Sequence, residues 1–186
     1  MERSIKDTSA NPAPLGLLCF GTTTVLLNLH NAGLFGLNDI IMMMGLFYGG
    51  FVQIIAGTQE NKKGNTFGAT AFTSYGAFWL TLVGILALNK AGYMAADHVA
   101  LACFMFVWGV VSIIFFVGTL NGATIGKIVF GSLVALFFLL GFHFLFESAL
   151  LGKVAGYVGI FCGSSAIYEA AGLILNEKYG KQILPL

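Results

Sequence analysis

The sequence predicts an all-α membrane protein of six transmembrane helices, and three observations carry that expectation. The chain of 186 residues is 58% hydrophobic and only 9% charged, against about 25% charge in a soluble domain. Its apolar residues fall into six runs, each near the roughly 20 residues that cross a hydrocarbon core about 30 Å thick. Only short clusters rich in Asn, Gly and Lys separate the runs. A surface so poor in charge suits lipid, and a net charge of +1 does not make the basic patch that nucleic acid requires.

Residues 1–12 form a polar N-terminal arm without the apolar centre of a cleavable leader, so the first run is expected to insert and stay. The spans are expected at 13–29, 39–59, 66–88, 98–118, 123–146 and 153–175. The breaks between them hold turn residues: Asn31, Gly33 and Asn38, then Asn61, Gly64 and Asn65, then Asn89 and Gly92, then Asn121 and Gly122, then Gly152. Residues 176–186 form a C-terminal tail. No linker is long enough for a second unit, so residues 1–186 are expected to form a single transmembrane domain. Cys19, Cys103 and Cys162 lie far apart inside apolar runs and read as packing residues, not as a disulfide framework or a metal site.

Orientation follows from the cations. Arg3, Lys6, Lys62, Lys63, Lys127, Lys178 and Lys181 fall on one side, and only Lys90 and Lys153 on the other. The positive-inside rule then puts both termini in the cytoplasm.

The odd-numbered spans carry an internal pattern. Asn11, Asn65 and Asn121 precede them, and each holds a small residue followed by a bulky one: Cys19-Phe20, Ser74-Tyr75 and Ser132-Leu133. At 1.5 Å per residue the bulky members stand roughly 10–15 Å in from the cytoplasmic ends. Three hairpin repeats around an axis would bring them together near mid-membrane, where transporters built from repeats bind substrate.

The 25 glycines recur at helical spacing. Gly152, Gly156, Gly159 and Gly163 line one face of the last span, Gly45 and Gly49 pair on the second, and Gly118, Gly122 and Gly126 cross the fourth junction. Close backbone approach holds membrane helices together, so these faces join helices either within one chain or between chains.

Polar groups inside a membrane need partners or a wet cavity. Thr23 and Thr24 lie three and four residues beyond Phe20, on its helix face. Gln53 carries an amide that its own helix cannot satisfy. Glu169 is the one carboxylate expected clearly within a span, and His143 stands near the far end of the fifth. Glu169 and His143 are each read as either a partly hydrated pore-mouth residue or a subunit contact, or as a proton-linked group. No Lys or Arg falls at mid-membrane, so a weakly held, partly apolar solute fits better than a dicarboxylate trapped by charge. Paired catalytic carboxylates, an HExxH pattern and a nucleophile motif are all missing from the sequence, which argues against an enzyme, and no metal or cofactor is expected. A pore for a neutral solute such as urea or ammonia, or a scaffold that transports nothing, stays open at this point.

The stretch Asn11-Pro12-Ala13-Pro14-Leu15-Gly16-Leu17 resembles the signature of the acetate uptake transporter family. Gly64-Asn65-Thr66-Phe67, Phe72-Thr73-Ser74-Tyr75-Gly76-Ala77-Phe78-Trp79, Leu27-Asn28-Leu29-His30-Asn31 and Ser165-Ala166-Ile167-Tyr168 are similar to it too, and the likeness runs from about residue 11 to 185. The resemblance implies six helices around a pore within each subunit, a homo-hexamer in the inner (cytoplasmic) membrane, and passage of acetate and, less readily, succinate, linked to protons or following the undissociated acid. It implies a hydrophobic constriction of Phe20, Tyr75 and Leu133. Thr23, Gln53 and Ala166 match positions beside the family's path, and Asn11 and Thr24 join them as expected path residues. Glu169 departs from the family, which has an apolar residue there.

Overall fold

The computed structural model describes residues 9–93 and 96–186, and Arg3 and Lys6 lie outside them. Among the described residues there is no strand, and six helices are long and apolar enough to cross a membrane. They are α1 (Ala13–Asn31), α2 (Asp39–Lys62), α3 (Thr66–Lys90), α4 (His98–Thr119), α5 (Thr124–Phe146) and α6 (Ala149–Tyr179).

Local chemistry sets their ends. Asn38 starts α2 by accepting from the N–H groups of Ile40 and Ile41. Asn65, Asp97 and Ser148 start α3, α4 and α6 by accepting from Gly68, Ala100 and Leu151. Each cap satisfies amides that the first turn leaves without partners. Asn11 does the same for Ala13 at 3.1 Å. The third asparagine of the pattern does not: α5 begins after Ala123 with no side-chain cap. The last span starts earlier than expected, at Ala149, because Ser148 caps it directly after α5 closes on Glu147 at φ 48.

Residues Met44–Val52 of α2 form a π-helix. Such segments are rare and concentrate at functional sites. Three glycines inside it let α2 press on its neighbours. A Cβ on Gly45 would lie 2.7 Å from Val83, one on Gly49 would lie 2.9 Å from Thr23 and 3.0 Å from Trp79, and one on Gly50 would strike Leu80.

The helices close into a ring in which α1 meets α6 and α2, α2 meets α3, α4 meets α5, and α5 meets α6. The backbones of α1 and α6 approach closely: a Cβ on Gly163 would lie 2.6 Å from the Gly21 carbonyl oxygen, Gly156 admits the Ala32 backbone and Gly159 the Asn28 side chain. The glycine faces of α2 and α6 thus pack inside the chain. The seam between α3 and α4 is built differently, from rings: Phe78 stacks on Phe104 at 5.5 Å, and Tyr75 meets Trp108 at 5.9 Å.

The C-terminal tail folds back on α6. Asn176 Oδ1 accepts from the N–H groups of Ile183 and Leu184, the Tyr168 hydroxyl donates to the Pro185 carbonyl, and Leu186 covers Gly172.

Candidate transport pathway

The odd-numbered helices bring Phe20, Tyr75 and Leu133 together. They stand about two to two and a half turns into α1, α3 and α5 and are all but buried, at 7%, 3% and 2% exposure. The rings of Phe20 and Tyr75 lie 5.8 Å apart. On the far side of this trio from the termini opens a cavity of about 470 Å³. On the near side lies a small one of about 20 Å³. Phe20, Tyr75 and Leu133 are the three residues that line both, so this trio separates the two spaces.

The wide cavity is apolar in its depth and polar at its mouth. Leu82, Leu136 and Phe137 lie with Thr24 along its wall, and Asn28, Asn31, His30, His143 and Lys153 also line it. Two histidines are fixed by the backbone: His143 Nδ1 lies 2.8 Å from the Ser148 carbonyl and His30 Nδ1 2.9 Å from that of Phe35. Donation from Nδ1 to a carbonyl leaves Nε2 as the lone-pair nitrogen in each. Asn28 is fully engaged, donating to the Thr24 carbonyl and accepting from Asn31.

Below the trio the small cavity touches Gln53, Ala71, Phe72, Val129 and Phe130. Phe130 belongs to a knot with Phe67 and Phe115 at centroid distances of 5.4–5.9 Å. The space is therefore wide on one side of the trio and narrow on the other. Sequence reasoning did not single out Phe130, because one phenylalanine among eighteen carries no positional signal.

Gln53 is fully buried and neither atom of its amide has a partner. Thr23 and Thr24 are likewise buried with unpartnered hydroxyls. Thr24 lines the wide cavity, whereas Thr23 packs on Gly49 of the π segment and lines neither space. Ala166 is fully buried and lines neither. Asn11 is exposed and engaged as the cap of α1.

The Tyr75 hydroxyl lies 2.9 Å from Ser112 Oγ, which itself donates to the Trp108 carbonyl, so the phenol proton goes to Ser112. One expectation needs correction. Glu169 is not the one carboxylate in the helices. Glu60, near the end of α2, is 2% exposed, accepts from Asn65 Nδ2 at 2.7 Å, and leaves Oε1 without a partner. The structure extends α2 to Lys62, past the expected boundary at 59, and so takes Glu60 into the helix. Glu169 is half-buried beside Gly126 and Thr119, lining neither cavity. Among the described residues no group of three His, Cys, Asp or Glu could hold a metal.

Comparison with known proteins gives this geometry a family. The profile of the GPR1/FUN34/yaaH family matches residues 1–184. The succinate-acetate/proton symporter SatP of Escherichia coli (strain K12) is 53% identical over 178 residues, covering 95% of each chain. Ammonia transport outward protein 2 of Saccharomyces cerevisiae (strain ATCC 204508 / S288c) is 37% identical over 185 residues, covering 90% of this chain and 63% of that one. The solved structure of the bacterial acetate channel SatP superposes with a TM-score of 0.94 at 53% identity, covering 96% of this chain and 99% of that one. A profile matched along nearly the full length, together with these identities, establishes that the chain belongs to the GPR1/FUN34/yaaH family.

Proposed function

We propose that the protein carries acetate, and less readily succinate or another small carboxylate, across a membrane through the space that Phe20, Tyr75 and Leu133 divide. The observation that carries this reading is that these same three side chains bound both cavities, with uncharged hydrogen-bonding groups beside them. Neutral groups hold a small acid weakly, which favours release and fast passage. The relatives named for succinate and acetate, one of them 53% identical over 95% of its length, support the substrate class.

The same reading makes both termini cytoplasmic, residues 1–186 one transmembrane domain, and the inner (cytoplasmic) membrane its location. Exposed apolar stripes, such as Phe47, Phe51 and Ile55 on α2 and Val107, Val110 and Ile114 on α4, then face lipid or the neighbouring copies of a hexamer. Gln53, Thr23, Thr24 and Ala166 belong to the path or its wall, and Asn11 shapes its cytoplasmic end as a cap. His143 and Glu169 are the groups proposed to exchange protons on the two sides.

A neutral solute is the second reading. The ammonia-transport relative at 37% identity favours it, as does a constriction without a cation. Labelled acetate uptake into proteoliposomes separates the two. Saturable uptake competed by propionate and not by urea is expected, and a pH gradient that drives accumulation above equilibrium identifies proton coupling. Acetate entry no faster than in protein-free liposomes would sink the carboxylate reading.

A further inference from the structure

The π segment Met44–Val52 runs for nine residues, whereas π geometry usually occupies a single turn. At its end the Gln53 N–H reaches the Tyr48 carbonyl five residues back and the Gly50 carbonyl three back, on either side of the α-helical partner. The segment therefore stores an extra residue. Polar groups without partners gather beside it. A Cβ on Gly49 would lie 3.0 Å from both Thr23 Oγ1 and Trp79 Cγ, and Gln53 follows the segment directly. Thr23 Oγ1, Trp79 Nε1 and both polar atoms of the Gln53 amide are buried without a partner. Buried groups left unmet raise the free energy of the arrangement that holds them, so the π register is not a deep minimum.

The two ends of α2 are held unequally. Toward the termini, a Cβ on Gly57 would lie 2.8 Å from the Thr73 backbone nitrogen, and Asn65 is tied to Glu60 through both backbone and side chain. At the other end, Ile41 is the one buried residue of Asp39–Met43, and the Asp39–Lys90 pair there is exposed. Rewinding one π turn into α therefore moves the loosely held end. It steps outward by one residue, about 1.5 Å, and turns by roughly 100°. Each residue in the moving part then takes the place of the one before it. Gly50 replaces Gly49 between Thr23 and Trp79, so a glycine still stands at that contact. Phe51, now 52% exposed, comes against Leu80, whose side chain can turn aside. Leu46 replaces Gly45, where a Cβ alone would lie 2.7 Å from Val83 and 3.4 Å from Trp79, so the Trp79 ring has to shift. Trp79 lines the wide cavity one turn beyond Tyr75.

We propose that α2 has two registers, one π and one α, and that the step between them moves Trp79 at the wall of the wide cavity and so gates the path just outside the constriction. The consecutive glycines 49 and 50 are what let the helix take the step without losing its contact with α1. This goes beyond the transport reading, because it concerns the wall and holds for any solute the path carries.

The chain holds two tryptophans, so protein labelled with 5-fluorotryptophan gives few fluorine signals, and comparison with Trp108→Phe assigns those of Trp79. Two Trp79 signals, or one broadened by exchange, are expected from the wild-type protein in detergent. Deletion of Phe47, which is 57% exposed, removes the extra residue and leaves both halves of α2 in their present places as continuous α-helix. This variant should elute like wild type in size-exclusion chromatography, show one sharp Trp79 signal, and lose acetate flux in proteoliposomes by at least about fivefold. Leu46→Ala removes the side chain that arrives against Trp79 and should raise the share of the second signal about threefold. A single sharp Trp79 signal in wild type, a second signal that Leu46→Ala leaves unmoved, or wild-type flux from the deletion would overturn the gate. Should the deletion fail to assemble, the Leu46→Ala spectrum decides. If wild-type protein carries no acetate, the carboxylate reading falls while the fluorine signals still decide the two registers.

Discussion

The Tyr75 hydroxyl on α3 donates to Ser112 Oγ on α4 at 2.9 Å, and Ser112 donates in turn to the Trp108 carbonyl at 2.8 Å. This is a direct side-chain hydrogen bond across a seam where few backbone segments approach. It fixes the Tyr75 ring in the constriction and takes its proton out of play. Tyr75→Phe keeps the ring and removes that bond. It should cost about 1 kcal/mol of stability and leave acetate flux within about twofold of wild type, because the phenol contributes position and not a ligand. A fall in flux above about tenfold with unchanged melting temperature would mean that the hydroxyl binds solute after all.

Leu133→Ala should admit larger monocarboxylates such as lactate while acetate flux stays near normal or rises. Leu133 is 2% exposed and borders both cavities, so truncation opens a wall of the narrow point that its neighbours refill only in part, at a stability cost of about 2–5 kcal/mol. Paired uptake assays of labelled lactate and acetate at equal expression check this. Continued exclusion of lactate would show that Leu133 does not line the filter.

Gln53→Leu should separate function from stability. Both atoms of the buried amide lack partners, and an unsatisfied buried polar group costs about 1–3 kcal/mol. An apolar replacement of similar size should therefore leave the melting temperature unchanged or higher, while acetate flux falls at least about tenfold. Wild-type flux from a stabilised mutant would assign Gln53 to packing.

The glycine seam between α1 and α6 predicts a sharp contrast between two alanine substitutions. On Gly21 the new Cβ would lie 2.6 Å from the Gly163 carbonyl oxygen, and backbone cannot move aside as a side chain can. Gly21→Ala should lose about 1–3 kcal/mol or fail to assemble. Gly84→Ala meets nothing within 4 Å and should be neutral or gain about 0.5–1 kcal/mol from helix propensity. Thermal melts followed by size-exclusion chromatography of the two detergent-solubilised variants test the pair, and equal behaviour would refute close packing at this seam.

Uptake should rise several-fold as external pH falls from about 7 to about 5, because an apolar constriction without a cation favours a solute that brings its own neutralising proton. Initial rates of labelled acetate uptake at fixed total acetate measure it. A flat or falling profile would argue for passage of the bare anion.

The sequence by itself determined the six spans, since twenty apolar residues in a row have few alternatives to crossing lipid, and the asparagine and serine caps mark several ends. It also determined which three bulky residues share a depth, because depth along a helix is a matter of counting residues at 1.5 Å each. What counting cannot reach is the direction a side chain faces after the rhythm changes. The π segment Met44–Val52 adds a residue to the turn, so the face of Gln53, the first residue after it, was decided only by how α2 settles on α1 and α3. Partnership was equally a tertiary matter. Thr22 and Thr24 differ by two positions, yet one hydroxyl bonds the Leu18 carbonyl and the other is buried without a partner. Tyr75 found Ser112 on another helix, and Glu60 was buried by an extra turn at the end of α2. Hydrophobic runs are written residue by residue, but the choice of partner for a buried polar group depends on what the other helices bring to the same depth, and that arises only when the ring of helices closes.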